Sequence, residues 1–229
     1  MSDQHLPPIT LVRRRRQKYL RIRIKEREIV VSAAYSTPNY MIKNFIREKT
    51  DWIRESHAKL IQKAEKTQQL NRFDEGFLMF EGNWIPFSFS NGNKNRLFFS
   101  DGQFFVELKN QDDTAEVIKD LYLKFASPFL KERFNKTAQT NGFNYNSVTV
   151  RNQKSKWGSC SHKKNINLNW RLIKCPLFVQ EYIFIHELCH LKHLNHSVQF
   201  WALVDKHCPF RHKAEQWIKE NGKVMFLEP

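Results

Sequence analysis

The sequence predicts a mixed α+β protein. Three observations carry that expectation: strand-type alternation near the N-terminus, a Phe- and Trp-dense stretch broken by Asn-Gly and Asp-Gly turns, and long runs of apolar residues at helical spacing. A chain of 229 residues can bury a sizeable core, in one domain or two small ones. The expected division puts a hairpin, a long helix and a small aromatic-rich β-meander in residues 1–112. Residues 113–229 carry the chemistry, and the whole is expected to pack as one compact unit.

Residues 1–10 read as a loose tail, followed by the basic run Arg13 to Arg16. Leu20, Ile22 and Ile24 alternate with Arg21 and Arg23, which is strand periodicity. Ile29 to Ala33 reads as the return strand of a hairpin. Thr37-Pro38 is a helix start with proline at the first helical position. Met41, Ile42, Phe45, Ile46, Trp52, Ile53, Leu60 and Ile61 then repeat at helical spacing. They predict one long amphipathic helix from 38 to about 69, or two with a bend.

Residues 76–108 read as the meander, with turns at Asn91-Gly92 and Asp101-Gly102. Their rings are assigned to core packing rather than base stacking, because basic residues are not interleaved with them. Residues 113–140 return to helical spacing, and Pro128 is expected to kink or split that helix. A strand at Ser147 to Val150, a polar loop from Arg151 to Ser161 and a strand at Asn165 to Trp170 follow. Pro176 marks the loop before an apolar helix. A helix from Ser197 to about Lys206, a turn at Pro209 and a last helix around Ala214 to Asn221 complete the expected order.

The chemistry centres on Glu181 to Trp201, EYIFIHELCHLKHLNHSVQFW. It contains His186-Glu187-Leu188-Cys189-His190, an HExxH motif. Residues four apart share one helix face, so both imidazoles can reach one metal ion with Glu187 beside them. The flanks are apolar on every side, which marks a buried helix. Buried histidines and a glutamate need partners, and a metal would satisfy all three. The competing explanation is a pair of satisfied core histidines. Against it stands His196, six residues after His190, which supplies a third nitrogen once the chain turns back. Asn195 suits that turn, and Ser197 suits the N-cap of the next helix. Catalytic Zn²⁺ takes three protein ligands and keeps a fourth position for water. One Zn²⁺ per chain on His186, His190 and His196 is therefore expected. His193 is a poorer third ligand, because it stays on the helical stripe too far along the axis. A closed structural site would need a fourth ligand, such as Cys189 or Cys208.

Net charge is +15 and the pI about 9.8, which favours anionic partners. Lys and Arg cluster at Arg13 to Arg16 with Arg21 and Arg23, and at Arg151, Lys154, Lys156, Lys163 and Lys164. Weak, sequence-independent nucleic-acid binding is one expectation from these clusters, and a merely solvated basic surface is the other. Four cysteines form no CxxC pair, residues 1–20 contain no apolar core of a signal peptide, and no apolar run approaches a membrane span. A cytoplasmic protein with reduced thiols and no membrane segment is expected. The oligomeric state is not legible.

Taken together, WGSCS (Trp157 to Ser161), INLNW, HELCHL, NHSVQFW and Pro209 resemble the YgjP-like zinc metallopeptidases, relatives of the SprT/Spartan-type zincins. The resemblance runs from about 147 to 221 and extends more loosely to the basic hairpin and to FIREKTDWI (Phe45 to Ile53). The spacing also matches metzincins, but their helix-ending glycine would fall at His193, which favours the YgjP-like assignment. The resemblance implies a zincin-like metallopeptidase domain that acts on protein or peptide substrates. It implies His186, His190 and His196 as metal ligands and Glu187 as the general base. Tyr182, His207, Arg211 and His212 are candidate oxyanion donors. Trp157, Gly158, Asn169, Tyr182 and Arg211 are expected to touch substrate. The segment 151–170 could offer an edge to which an extended peptide adds as a strand, or WGSCS could simply pack Trp157 and turn at Gly158. Two further readings stand beside the peptidase: a nucleic-acid-associated protease acting on DNA-bound proteins, by analogy with Spartan, and a non-catalytic zinc-binding module.

Overall fold

The computed structural model describes residues 6–69, 72–109 and 114–227. The chain divides into two compact units, Met1–Gln69 and Leu70–Pro229. The boundary expected at 112/113 instead falls after residue 69.

The first unit begins with a three-stranded sheet: β1 (Ile9–Arg14), β2 (Arg21–Ile24) and β3 (Ile29–Ala34), in the order β1-β3-β2. The β2–β3 hairpin is antiparallel, and β1 joins β3 in parallel with Ile9 opposite Ile29. Ile9 and Thr10, expected in a loose tail, therefore open a strand. Residues 1–5 of that tail lie outside the described residues. The pairing of β1 is long-range, so no local periodicity announces it. Arg13 is not part of a free basic run. Its guanidinium donates to the carbonyls of Ala34, Tyr35 and Thr37 at 3.0, 3.0 and 2.7 Å, and to Asn39 Oδ1 at 2.5 Å. It pins the connection between β3 and the helix that follows. That helix, α1 (Asn39–Glu48), is separated from α2 (Thr50–Gln69) by Lys49. Of the two forms expected for this segment, the broken one is present. Ile29, Val31 and Ala33 of β3, Ile42 of α1 and Ile53 of α2 form a small buried core.

The second unit opens with β4 (Phe77–Phe80), β5 (Asn83–Asn91), β6 (Arg96–Ser100) and β7 (Gln103–Leu108). Their order, β4-β5-β7-β6, is not that of a meander, because β5 pairs in parallel with β7. The β6–β7 turn places Asp101 at φ 49° and Gly102 at φ 78°, the hairpin geometry that Asp-Gly favours. Phe104, Val106 and Leu108 alternate inward. They meet α3 (Thr114–Thr140), where the Tyr122 hydroxyl donates to the Met79 carbonyl and the Phe104 and Tyr122 rings lie 5.7 Å apart. This shared core joins the sheet to α3 and to the elements that follow it.

α3 runs through Pro128 without splitting. Proline there removes the hydrogen bond to the Lys124 carbonyl. Both residues are exposed, so water replaces that bond, while Ala126 and Leu130 on the opposite face are fully buried. After α3 comes a second small sheet: β8 (Ser147–Arg151), β9 (Gly158–Cys160) and β10 (Asn165–Asn169), in the order β8-β10-β9. A 3-10 turn (Trp170–Lys174) leads into α4 (Leu177–Cys189), α5 (Val198–His207) and α6 (Arg211–Met225). α4 packs against α3, α5, α6 and β9, which is why it is apolar all round.

Candidate metal centre

His186 and Glu187 lie in the last turn of α4, and His190 caps its C-terminus while still in helical conformation (φ −64°, ψ −16°). The i, i+4 relation of the two histidines therefore survives the helix end. The chain then folds back: Leu191 N–H donates to the Leu188 carbonyl, and the N–H groups of Lys192 and His193 donate to the Cys189 carbonyl, each at 3.0 Å. Ser197 starts α5, its hydroxyl accepting from Phe200 N–H at 3.3 Å. Between these two fixed ends His196 returns to the helix, with its Nε2 3.1 Å from Nε2 of His186. The ring centroids of the three histidines lie 4.9–5.0 Å apart. One ligand atom from each falls within 4.8 Å of the others.

This donor set fits Zn²⁺. Zn–N bonds of ~2.0–2.1 Å in a tetrahedron separate nitrogens by roughly 3.4 Å, close to the spacing of His186 and His196. Burial, reinforced by the other two histidines, pushes the His186 imidazolium down to about 3, so its ring is neutral at physiological pH. His190 is lowered too, chiefly by burial. His190 Nδ1 lies 3.0 Å from the His193 carbonyl, so it donates there and leaves Nε2 free for a cation. His193 thus acts through its backbone and is absent from the ligand cluster. Neither Cys189 nor Cys208 joins the cluster among the described residues, nor does any carboxylate.

Aromatic rings hold the three imidazoles in place. Phe200 lies 4.5–5.0 Å from all of them, stacked on His190. Trp201 stacks on His196 at 5.4 Å and 23°. Over Trp201, at 5.0 Å, sits the Arg211 guanidinium. Asp205 grips that guanidinium at 2.5 and 3.3 Å, and Glu215 does so at 3.1 Å with both oxygens. The Tyr182 hydroxyl donates to the same Glu215 at 3.0 Å, and its ring meets His186 edge-on at 5.9 Å. Asp205 and Glu215 were not singled out by the sequence, and Phe200 and Trp201 stood there only as part of the NHSVQFW segment. A single Glu in an amphipathic helix carries no signal, although the i, i+4 spacing of Arg211 and Glu215 was readable.

Glu187 is buried, and burial raises its carboxyl to about 8, with the nearby Lys156 charge opposing the rise. Its Oε2 has no hydrogen-bond partner among the described residues. Gly158 of β9 lies directly against it: a Cβ there would stand 2.6 Å from Oε1 and 2.7 Å from Cγ. An open cleft of about 400 Å³ adjoins the carboxylate, lined by Trp157, Gly158, Tyr182, His186, Glu187 and Glu215, among others. Asn169 does not reach it. That side chain is fully buried, donating to the Gln153 and Lys156 carbonyls at 2.8 and 2.7 Å and accepting from Arg171 N–H at 3.1 Å. It shapes the loop before β9, which corrects the expectation of substrate contact. Arg211 is occupied by two carboxylates. His207 pairs with Asn141 Oδ1 at 2.9 Å, and His212 is exposed beside Arg211 at 3.2 Å.

The pattern of the YgjP-like metallopeptidase domain matches residues 18–221. Among solved structures, the chain is similar to the metallopeptidase zymogen abylysin of Pyrococcus abyssi, at 26% identity and a TM-score of 0.35, over 40% of this chain and 93% of that one. It is also similar to the metallopeptidase zymogen jannalysin of Methanocaldococcus jannaschii, at 23% identity and a TM-score of 0.36, over 40% of this chain and 94% of that one. No curated protein matches. Matched from residue 18 to residue 221, the chain belongs to the YgjP-like family of metallopeptidases.

Proposed function

We propose that the protein is a zinc-dependent peptidase that cleaves peptide bonds in protein or peptide substrates, with one Zn²⁺ on His186, His190 and His196 and Glu187 as general base. The observation that carries this reading is the convergence of three imidazoles beside a buried carboxylate that opens on a cleft. Zinc bound there would supply Lewis acidity, polarising the scissile carbonyl and acidifying a water. Glu187 Oε2, with no hydrogen-bond partner among the described residues, would accept the proton of the attacking water and return it to the leaving amine. A proton affinity near neutrality suits a group that must both take and give. Among the described residues no cysteine or carboxylate joins the three histidines, which favours an open catalytic site over a closed structural one.

Substrate would lie along β9, the edge strand of its sheet. An edge presents unpaired backbone donors and acceptors, and an extended peptide can add to it as a further strand. Trp157, Gly158 and Tyr182 would line its path, whereas Arg211 would act on the site through Trp201 and Glu215. No helix among the described residues is long and apolar enough to cross a membrane. A cytoplasmic location belongs to this reading, since all four cysteines are free.

The test pairs metal analysis with a peptide-library assay on wild type, Glu187→Gln and His196→Ala. Wild type and Glu187→Gln should each carry one zinc, and only wild type should hydrolyse peptides. Wild-type rates in Glu187→Gln would remove Glu187 as the base. Undiminished zinc content and affinity in His196→Ala would remove the third ligand.

A further inference from the structure

Arginine is unevenly distributed in this chain. Of 15 arginines, seven lie between residues 13 and 27, whereas lysine outnumbers arginine in the rest of the sequence. Residues 1–69 carry 16 Lys and Arg against 7 Asp and Glu, so +9 of the net +15 resides there. Solvation alone does not call for arginine. Its planar fork matches phosphate oxygens bidentately, which lysine cannot do.

The register of the first sheet sorts these residues by face, because paired residues share a side. Ile9 and Leu11 are paired with Ile29 and Val31, so they share the face of the sheet that carries the buried core, although on this edge strand each stays 43% exposed. Thr10, Val12 and Arg14 of β1 therefore share the opposite face with Val30, Ser32 and Ala34 of β3. Arg21 stands opposite Ser32 and Arg23 opposite Val30, so both β2 arginines lie on that face too. Two arginine-bearing edges thus flank a central strand whose outward residues are small and uncharged. Adjacent strands are ~4.8 Å apart, so the two edges are separated by roughly 10 Å, with Arg21 and Arg23 roughly 7 Å apart along β2. Arg15, Arg16 and Lys18 continue the charge through the β1–β2 connection, all exposed. Tyr19 and Tyr35, 74% and 64% exposed, sit at the end of the sheet nearest Arg14.

Among the described residues this charge is not answered. Arg14, Arg15, Arg16, Arg21 and Arg23 have no carboxylate partner among the described residues, whereas Lys25 at the far end is paired with Glu28. We infer that the outer face of the β1-β3-β2 sheet binds the sugar–phosphate backbone of nucleic acid. Forked cations flanking a flat strand can straddle a phosphodiester chain, and the exposed tyrosines offer faces for unstacked bases. A membrane surface fits less well, because the outward apolar residues of the strands are only Val12, Val30 and Ala34, too short to enter a bilayer. The inference does not rest on the peptidase reading.

Fluorescence anisotropy with labelled single-stranded DNA, single-stranded RNA and duplex DNA tests it on the full chain. Micromolar binding to at least one of them is expected at ~50 mM salt. Neutralising three to five phosphates of a single strand should weaken it by about 20- to 130-fold at ~200 mM salt. The preferred oligonucleotide identifies the source of the phosphate chain. Changing Arg14, Arg21 and Arg23 together to Ala should weaken binding at least tenfold and lower the salt slope by about 2. The same three changed to Lys should keep most of the salt slope at reduced affinity, and a thermal melt shows that each variant is folded. Changing Lys154, Lys163 and Lys164 to Ala, in the other unit, should leave binding unchanged. No binding at ~50 mM salt, undiminished binding by the triple Ala variant, or binding to phosphatidylserine vesicles but to none of the oligonucleotides would each overturn the assignment.

Discussion

Gly158 and Glu187 are 29 positions apart, yet the absence of one side chain sets the position of the other. A methyl group at 158 would overlap Oε1, Cγ and Cδ of Glu187. The clash reaches back to Cγ, so rotating the carboxylate tip does not relieve it, and the whole side chain must leave its place beside His186. Gly158→Ala should therefore retain zinc and fold while kcat falls at least tenfold, because in the proposed mechanism a displaced Glu187 would no longer be within hydrogen-bond reach of the proton it takes. Steady-state kinetics with zinc content measured on the same sample checks this. A wild-type kcat would show that Glu187 functions from another position. The HExxH spacing and the third histidine are legible in the sequence because they lie within one helix end and one short return. The Gly158–Glu187 packing is not, because it depends on how β9 is laid against α4. Asn169 misled for a related reason: an amide beside the motif strand looks like a substrate contact until its three internal hydrogen bonds are seen.

Between helices, α5 and α6 bracket the metal site from the side of His196. Trp201 of α5 is stacked on that imidazole, and the Arg211 guanidinium of α6 also lies over the indole while Asp205 and Glu215 hold it. The bracket fixes His196, the proposed third ligand, which is otherwise exposed and sits in a turn. Arg211→Ala should free Trp201 and lower zinc affinity about tenfold, within the range usual for groups that orient metal ligands. Arg211→Lys should not restore it, because an ammonium cannot engage both carboxylates and lie flat on the ring. Competition with a chelator gives the affinity directly, without any activity assay, and unchanged affinity in both variants would assign Arg211 to the helix pair alone. At this scale the helices and most strands follow from periodicity. The parallel β1–β3 and β5–β7 pairings do not, because strand order depends on contacts between segments and not on alternation within them.

Across the whole molecule, the two units differ sharply in the cores they can rely on. In residues 1–69 the buried core consists of Ile29, Val31, Ala33, Ile42 and Ile53. In residues 70–229 one continuous core links the four-stranded sheet, the second sheet and all four helices, with Trp170, Tyr122, Phe104, Phe134, Phe184 and Phe200 fully enclosed. The return to helical spacing at 113 suggested a division there, but the Phe80–Phe125 and Phe104–Tyr122 contacts bind the aromatic sheet to α3. Units of fewer than about 70 residues are marginal when their core is small. A fragment comprising residues 70–229 should therefore unfold cooperatively and bind zinc with the stoichiometry of the full chain. The zinc should also raise its melting temperature, since the ion binds only the folded triad. A fragment comprising residues 1–69 should show no cooperative thermal transition by circular dichroism. An unfolded 70–229 fragment, or a 1–69 fragment that melts cooperatively, would show that stability is not partitioned as the two buried cores require.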